Sequence, residues 1–253
     1  MIATIRYVSS PTRPIEALAR GLKILEVLSR ATGSMGNGQL SRATGLPPST
    51  VSRLTDSLVQ LGYLRVSSDS GAYYLTPKNL RLGYPVLANL PIAGRARRAL
   101  DSLADTTGLT AALATRDGLH MTFMSVTRPR SSSSVNLAVG GRLPISVSAA
   151  GLAFVTASEE PEKSRLTSAI RYDLERRGQP VKPFEERLAA ASGRYVSSIG
   201  GWNTDLGGVA VPVRCSGELY ALTLIARTSQ LEAADISAEL VPPLLQSADY
   251  LAD

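Results

Sequence analysis

The side chains able to do chemistry are few, and their spacing narrows what that chemistry can be. The chain has one cysteine, Cys215, and one histidine, His120. A zinc centre of Cys and His ligands needs several of them, so none assembles within one chain and no metal is expected. A serine triad would rest wholly on His120, which lies at a strand start with no supporting signature. Cys215 follows a strand-like run just before "SGE", a hairpin position rather than a redox sensor. Carboxylates gather at Glu159, Glu160 and Glu162 and again at Glu185 and Glu186, beside Lys163, Lys182 and Arg187. Mixed signs on polar helical stretches describe solvated faces. "VGGRLP" and "SIGGW" are glycine-rich but fit neither a Walker loop nor a dinucleotide fingerprint. Neither catalysis nor a cofactor is expected.

Side chains suited to binding are bunched in one place. The stretch "GLPPSTVSRLTDSLVQLGYLRVSSDSGAYYLTP", residues 45–77, puts Ser49, Thr50, Ser52 and Arg53 at the start of an amphipathic run. Hydroxyls there can meet a phosphate or a base edge, and Arg53 is long enough to reach guanine O6 and N7 in a major groove. A helix start also presents N–H groups and a partial positive end, which favours phosphate. Arg65, Ser67, Ser68 and Ser70 follow on a segment where Asp69, Ser70 and Gly71 supply turn chemistry, placed to touch a phosphate backbone. Arg6 and Arg13 lie in an N-terminal arm able to enter a minor groove. Taken singly, these residues could equally cap a helix and decorate a surface. Charge weighs against that reading: residues 1–83 hold ten of the 27 Lys/Arg but only four of the 21 Asp/Glu, so the whole surplus of +6 lies there. A basic module of this kind faces a polyanion.

Three helices must position these side chains. In residues 13–31 Ile15, Leu18, Leu22, Ile24, Leu25 and Leu28 recur with a helical period. "TGSMGNG" is a loop in which Asn37 or Gly38 can cap a short helix over 39–45, stopped by Gly45. Pro47 and Pro48 pre-set a third helix with Val51, Leu54, Leu58 and Leu61 on its apolar face and Gly62 closing it. Strands over 63–66 and 72–75 form a hairpin. A helix-turn-helix with a hairpin appended is a winged helix, and its helix start and hairpin tip would share one partner, double-stranded DNA. A helical connector follows, broken at Pro85 and Pro91, with its last helix over 92–106. Beyond it, strand-like runs "TAALATRD", "HMTFMSVT", "VNLAVGGRLPIS", "GGVAVPVRC" and "LYALTLIAR" mix with helices "SAAGLAFVTA", "PEKSRLTSAIRYDLERRG", "PFEERLAAASG" and "ISAELVPPLLQSADYLAD", while "SSIGGWNTDLGG" reads as a loop. Hairpin-linked strands with flanking helices give an α+β domain. No apolar run approaches the ~20 residues of a membrane helix, the first residues lack a secretory core, and the single cysteine fits a reducing cytoplasm.

In sequence and order, "ALARGLKILEVLSR", "GLPPSTVSRLTDSLVQLGYL" and "YYLTPKNLRLG" resemble the winged-helix domain of the IclR-type bacterial transcription regulators. "DSLADTTGLTAALATRDG", "VGGRLPISVSAAGLAFVTA" and "VAVPVRCSGELYALTLIA" resemble successive pieces of that family's C-terminal domain, so the likeness spans nearly the whole chain. It implies a winged helix with its arm over 1–83, a connector over 84–107, and a GAF-like antiparallel sheet over 108–253 that binds an effector and joins subunits. Carried across by motif, the effector site takes Ser148, Ala149 and Ala150 at a helix start, Ser198 and Gly208 at the two ends of the "SSIGGWNTDLGG" stretch, and Thr223 and Ile225 on the "ALTLI" strand. Members that bind small acids often have an acidic residue, a cysteine and serines at the last three regions. Their replacement here suggests a less polar pocket, lined in addition by Met121, Met124 and Trp202, for an aromatic or other small organic acid. A single winged helix makes few base contacts, so a homodimer, or a dimer of dimers, on a palindromic operator is expected. The alternatives are a small-molecule enzyme or redox sensor with a basic domain attached, and an adaptor that docks protein through its winged helix and ignores salt.

Overall fold

The computed structural model describes residues 14–31, 33–129, 135, 137–191 and 193–252, and divides into two compact units, one ending at Ala88 and the other beginning at Asn89. Arg6 and Arg13, assigned above to a DNA-contacting arm, lie outside the described residues.

The first unit is α1 (Glu16–Arg30), α2 (Asn37–Thr44), α3 (Pro48–Gln60), the hairpin β1 (Leu64–Val66) and β2 (Tyr73–Leu75), and α4 (Leu80–Ala88). Ile24, Leu28, Leu40, Val51, Leu64 and Tyr73 form its core. Helix α1 buries only Ile24 and Leu28, while Ile15, Leu18 and Leu22 are exposed. At ~100° per residue, Leu18 and Leu22 lie roughly 120–160° round from Ile24, so the apolar spacing encodes two faces where the sequence suggested one. Leu61 is likewise exposed, because it is the C-cap residue and falls beyond the last turn of α3. Helix α2 starts earlier than expected, with Gly36 as its N-cap residue; the Gln39 side chain accepts from the Gly36 N–H at 2.8 Å. Gly45 stops it at φ 71°, in the left-handed region. Lys23 Nζ donates to the Thr44 carbonyl over 2.7 Å, so α1 caps the free end of α2 and fixes the tight turn into α3. In the hairpin Arg65 faces Tyr74, and Met35 adds a bridge to Tyr73. Pro85 does not break the connector; it sits inside α4. Proline lacks the N–H that would bond the carbonyl of Arg81, an exposed residue.

The second unit is a six-stranded antiparallel sheet in the order β5-β4-β3-β8-β7-β6, with helices on both faces. Its strands are β3 (Thr110–Asp117), β4 (His120–Thr127), β5 (Arg142–Pro144), β6 (Val196–Asn203), β7 (Leu206–Cys215) and β8 (Glu218–Arg227). Its helices are α5 (Ala93–Thr107), α6 (Ala149–Ala157), α7 (Glu162–Arg176), α8 (Lys182–Ala190), α9 (Thr228–Ala233) and α10 (Val241–Leu251). Alternation along the strands separates two kinds of surface. One face carries Val209, Val211, Val213, Leu222 and Leu224 and packs on α5 and α10. The other is paved with Ala112, Ala114, Ala210 and Ala221 and packs on α6. Small residues let α6 approach closely: a Cβ on Gly151 would lie 2.3 Å from the Ile145 carbonyl oxygen.

Three expectations are corrected. The stretch read as the loop "SSIGGWNTDLGG" contains β6, an edge strand whose serine and glycine content hides its strand character, with Gly200 at φ 67° where the register shifts. The run "VNLAVGGRLPIS" contributes only the three residues of β5. The closing helix divides into a π-helical turn over Ile236–Leu240 and α10, split where Pro242 and Pro243 restart the helix, and α9 was not foreseen.

Candidate DNA-reading and effector surfaces

On the first unit, pairing separates cations that hold the fold from cations free to meet a partner. Arg20 pairs with Glu16 and Arg30 with Glu26, both along α1. Lys78 donates to the Leu61 carbonyl over 2.8 Å and lies over the Tyr63 ring. Among the described residues, Arg42 on α2, Arg53 on α3 and Arg65 on β1 make no ion pair, and all three are exposed. Arg65 stacks on Tyr74, its guanidinium 5.0 Å from the ring centroid, which orders the side chain while leaving its N–H edge outward.

The start of α3 is leaner in backbone donors than a generic helix start. Pro48 has no N–H, and the Thr50 and Val51 N–H groups both bond the Pro47 carbonyl at 3.0 Å. The Ser49 N–H is left, with the Ser49, Thr50 and Ser52 hydroxyls, which no hydrogen bond among the described residues employs. The hairpin serines differ. Ser67 Oγ accepts from the Ser70 N–H, Ser70 Oγ from the Ala72 N–H, and Ser68 donates to Asp69. They build the turn that presents the tip, a role the sequence reading had given to Ser70 alone of the three.

On the second unit, the residues assigned to the effector converge. Ser198 on β6 stands opposite Gly208 on β7, Gly208 opposite Ile225 on β8, and Ile225 opposite Thr110 on β3, a single row across four strands. Thr223 lies on the next row of the same face, opposite Ala210 and Ala112. Ser198 Oγ donates to the Val147 carbonyl over 2.6 Å and ties β6 to the start of α6. There Ser148 caps the helix, accepting from the Gly151 N–H at 3.1 Å and donating to the Pro144 carbonyl at 2.7 Å, with Ala149 and Ala150 buried behind it. Thr223 Oγ1 bonds the Val209 carbonyl at 3.1 Å. These residues are buried, none is ionised, and their hydroxyls are internally satisfied. Met121 is buried in the α6-side core, and Met124 and Trp202 are half-buried.

Two clefts open on this unit. One, of about 240 Å³, lies between α7, residues 144–147 and β6 and includes Trp202. The other, of about 430 Å³, lies between the end of α8 and the start of β6. His120 Nδ1 is 3.1 Å from Arg142 Nη2, a donor that cannot accept, so the neutral imidazole carries its proton on Nε2. Cys215 is buried and accepts from Arg95 Nη2 at 2.9 Å. The surface carboxylates pair with arginines: Glu159 with Arg214, Glu162 with Arg116 and Glu185 with Arg171. Tyr220 is raised above 10.0 by burial first, then by the neighbouring Glu218 and Cys215. Among the described residues no group of Cys, His, Asp and Glu could hold a metal ion, and no helix is long and apolar enough to cross a membrane.

A winged helix with unpaired arginines on its reading face, joined to a helix-covered antiparallel sheet, defines a ligand-responsive DNA-binding regulator. Comparison with known proteins agrees. The family model for the IclR helix-turn-helix domain matches residues 17–68, and that for the bacterial transcriptional regulator IclR C-terminal domain matches residues 84–252. The chain belongs to the IclR family of transcriptional regulators: a DNA-binding helix-turn-helix followed by an effector-binding domain. It is 32% identical to the HTH-type transcriptional regulator TsaQ1/TsaQ2 of Comamonas testosteroni, over 94% of this chain and 87% of that protein. It is 29% identical to the Pca regulon regulatory protein of Pseudomonas putida, over 95% and 88%. An IclR family regulator from Brucella abortus superposes with a TM-score of 0.76 at 32% identity, covering 94% of this chain and 92% of that one. An IclR homologue from Microbacterium hydrocarbonoxydans, solved with 4-hydroxybenzoate, shares the fold with a TM-score of 0.69 at 22% identity, covering 93% and 97%.

Proposed function

We propose that the chain is a one-component cytoplasmic regulator without enzymatic activity, which binds a palindromic operator as a homodimer or dimer of dimers and is biased by a small organic or aromatic acid. Residues 1–83 read DNA, 84–107 connect, and 108–253 bind the effector. The observation that carries the DNA-binding half is the set of unpaired, exposed arginines, Arg42, Arg53 and Arg65, beside the unused hydroxyls of Ser49, Thr50 and Ser52. Arg53 and these hydroxyls read base edges, while Arg65, Ser67, Ser68, Ser70 and Arg13 hold the backbone. The effector sits where Ser148, Ala149 and Ala150 meet the Ser198–Gly208–Ile225 row and Thr223. With no ionised side chain there, an anionic head is met by the Ala149 and Ala150 N–H groups at the start of α6. The 4-hydroxybenzoate held by the Microbacterium homologue is a molecule of this kind. A ligand preferring one arrangement of the paired winged helices shifts the population and hence operator affinity.

The test is binding of the purified protein to its own upstream intergenic DNA and to a scrambled copy across a salt series, followed by a screen of aromatic acids for release. Selective, salt-sensitive binding that such an acid alters is expected. Indifference to DNA at low salt would overturn the reading and favour a protein-docking adaptor.

A further inference from the structure

The chain that leaves helix α3 returns to the point where it left. Gly62 closes α3 at φ 76°, its N–H on the Val59 carbonyl and the Tyr63 N–H on the Leu58 carbonyl. The carbonyls of Leu61, Gly62 and Tyr63 lie beyond the helix ladder. Residues 76–79, at the far end of the hairpin, supply a donor to each. Thr76 Oγ1 donates to the Gly62 carbonyl at 2.6 Å, Lys78 Nζ to that of Leu61 at 2.8 Å and Asn79 Nδ2 to that of Tyr63 at 2.8 Å. The Thr76 N–H joins Asn79 on the Tyr63 carbonyl, at 3.0 Å, and Asn79 Nδ2 also holds the Thr76 carbonyl at 2.9 Å, so Asn79 bridges both legs of the hairpin. This clasp lies one row below Arg65. Arg65 pairs with Tyr74 and Leu64 with Leu75, so Tyr63 and Thr76 come next, on the side of the hairpin that carries the Arg65–Tyr74 stack. A hairpin with three residues in each leg has little stability of its own. Leu64 and Tyr73 hold its other side in the core, and the clasp holds the side of Arg65.

We infer that Thr76 and Asn79 are positioning residues for DNA recognition: they lock the hairpin against the end of α3, so that Arg65 meets the phosphate backbone while Arg53 meets the bases. The inference rests on the roles proposed above for those two arginines. Both clasp side chains are uncharged, which makes the salt dependence of binding diagnostic. Removing them deletes no cation, so a change in the number of phosphates neutralised comes from a cation they had held in place.

The test is a salt series on the full-length Thr76→Val, Asn79→Ala double variant, with operator and scrambled DNA, beside a thermal unfolding curve. The slope of log affinity against log salt is expected to flatten by about one unit, as in Arg65→Ala, with both DNAs weakened alike. A merely structural role would lower the folded fraction, which reduces affinity by one factor at every salt concentration and leaves the slope alone. Arg65→Ala added to the double variant costs less than about twofold more, because the two changes remove one contact, whereas Arg53→Ala costs the same factor in either background. Thr76→Ser keeps the hydroxyl and the wild-type slope. Thr76→Val alone, a change of nearly equal volume, gives the same reading if the double variant does not fold. A wild-type slope in the folded variants, or an Arg65→Ala cost that the open clasp does not reduce, overturns the inference and leaves DNA binding in place. Wild-type protein indifferent to DNA overturns the proposed function and the inference together.

Discussion

At the scale of single residues, the division of labour between Arg53 and Arg65 follows from their surroundings. Arg53 projects from the first turns of α3 with no ion pair among the described residues, whereas Arg65 is propped on Tyr74 in the hairpin. Arg53→Ala should cost about 1–3 kcal/mol against the operator and relax preference at one base position, because it removes a base-edge contact. Arg65→Ala should weaken operator and scrambled DNA alike and flatten the salt dependence by about one unit of slope. Competition binding against single-base operator variants separates the two, and an unchanged base preference in Arg53→Ala would remove that residue from the reading set. Tyr220 makes a residue-scale prediction about stability. Its folded pKa lies above the unfolded 10.0 because burial and the nearby Glu218 and Cys215 disfavour phenolate. A raised folded pKa holds the proton in the folded state, so the contribution is intact below pH 10 and is lost as pH climbs through the folded value. Tyr220→Phe should therefore show a shallower loss of stability than wild type above pH 10, measured by denaturant unfolding at stepped pH.

At the scale of elements, the seating of α6 depends on missing side-chain atoms. Gly151→Ala would put a Cβ 2.3 Å from a carbonyl oxygen and 2.5 Å from a Cα of residue 145, backbone that cannot rotate aside. A loss of about 3 kcal/mol or more is expected. Gly94→Ala, near the start of α5 with nothing within 4 Å, should instead gain about 0.5 kcal/mol from reduced unfolded-state freedom. Thermal unfolding of the pair tests whether space or helix propensity governs, and a well-tolerated Gly151→Ala would sink the packing argument. These elements also show what the sequence made legible. Helices α3, α5 and α7 announce themselves because their apolar periods answer to a core on one side, and strands β7 and β8 because central strands buried on both faces read as continuous apolar runs. Strand β6 does not, because an edge strand needs hydrogen bonds from one neighbour only and so tolerates Ser197, Ser198, Gly200 and Gly201. Helix α4 runs on through Pro85 along a fully exposed stretch, a tolerance no local pattern records. The residues proposed for the effector came one by one from family likeness. That Ser198, Gly208 and Ile225 stand abreast became visible only with the register.

At the scale of the whole molecule, the chain leaves apolar surface of its own uncovered. Helix α4, "LRLGYPVLA", has no buried residue, with Leu80 and Tyr84 each 70% exposed, and Ile15 on the back of α1 is 74% exposed. A nine-residue helix holding a proline is marginal in water by itself, and apolar faces of this kind mark a contact with another chain. A second copy is the economical occupant, since a two-fold interface applies the same faces twice and sets two α3 starts about one DNA turn apart, ~34 Å. The double variant Leu82→Glu with Tyr84→Glu places charge on that face without touching any buried residue of the chain. It should sediment as a monomer with an unfolding midpoint close to wild type. On DNA, halving the number of phosphates neutralised by each binding unit should roughly halve the slope of log affinity against log salt, and the preference for a palindrome over a single half-site should vanish. If the variant remains dimeric, the interface lies elsewhere. If it is monomeric yet keeps full palindrome preference, the spacing of two helix starts is not how this regulator recognises its operator.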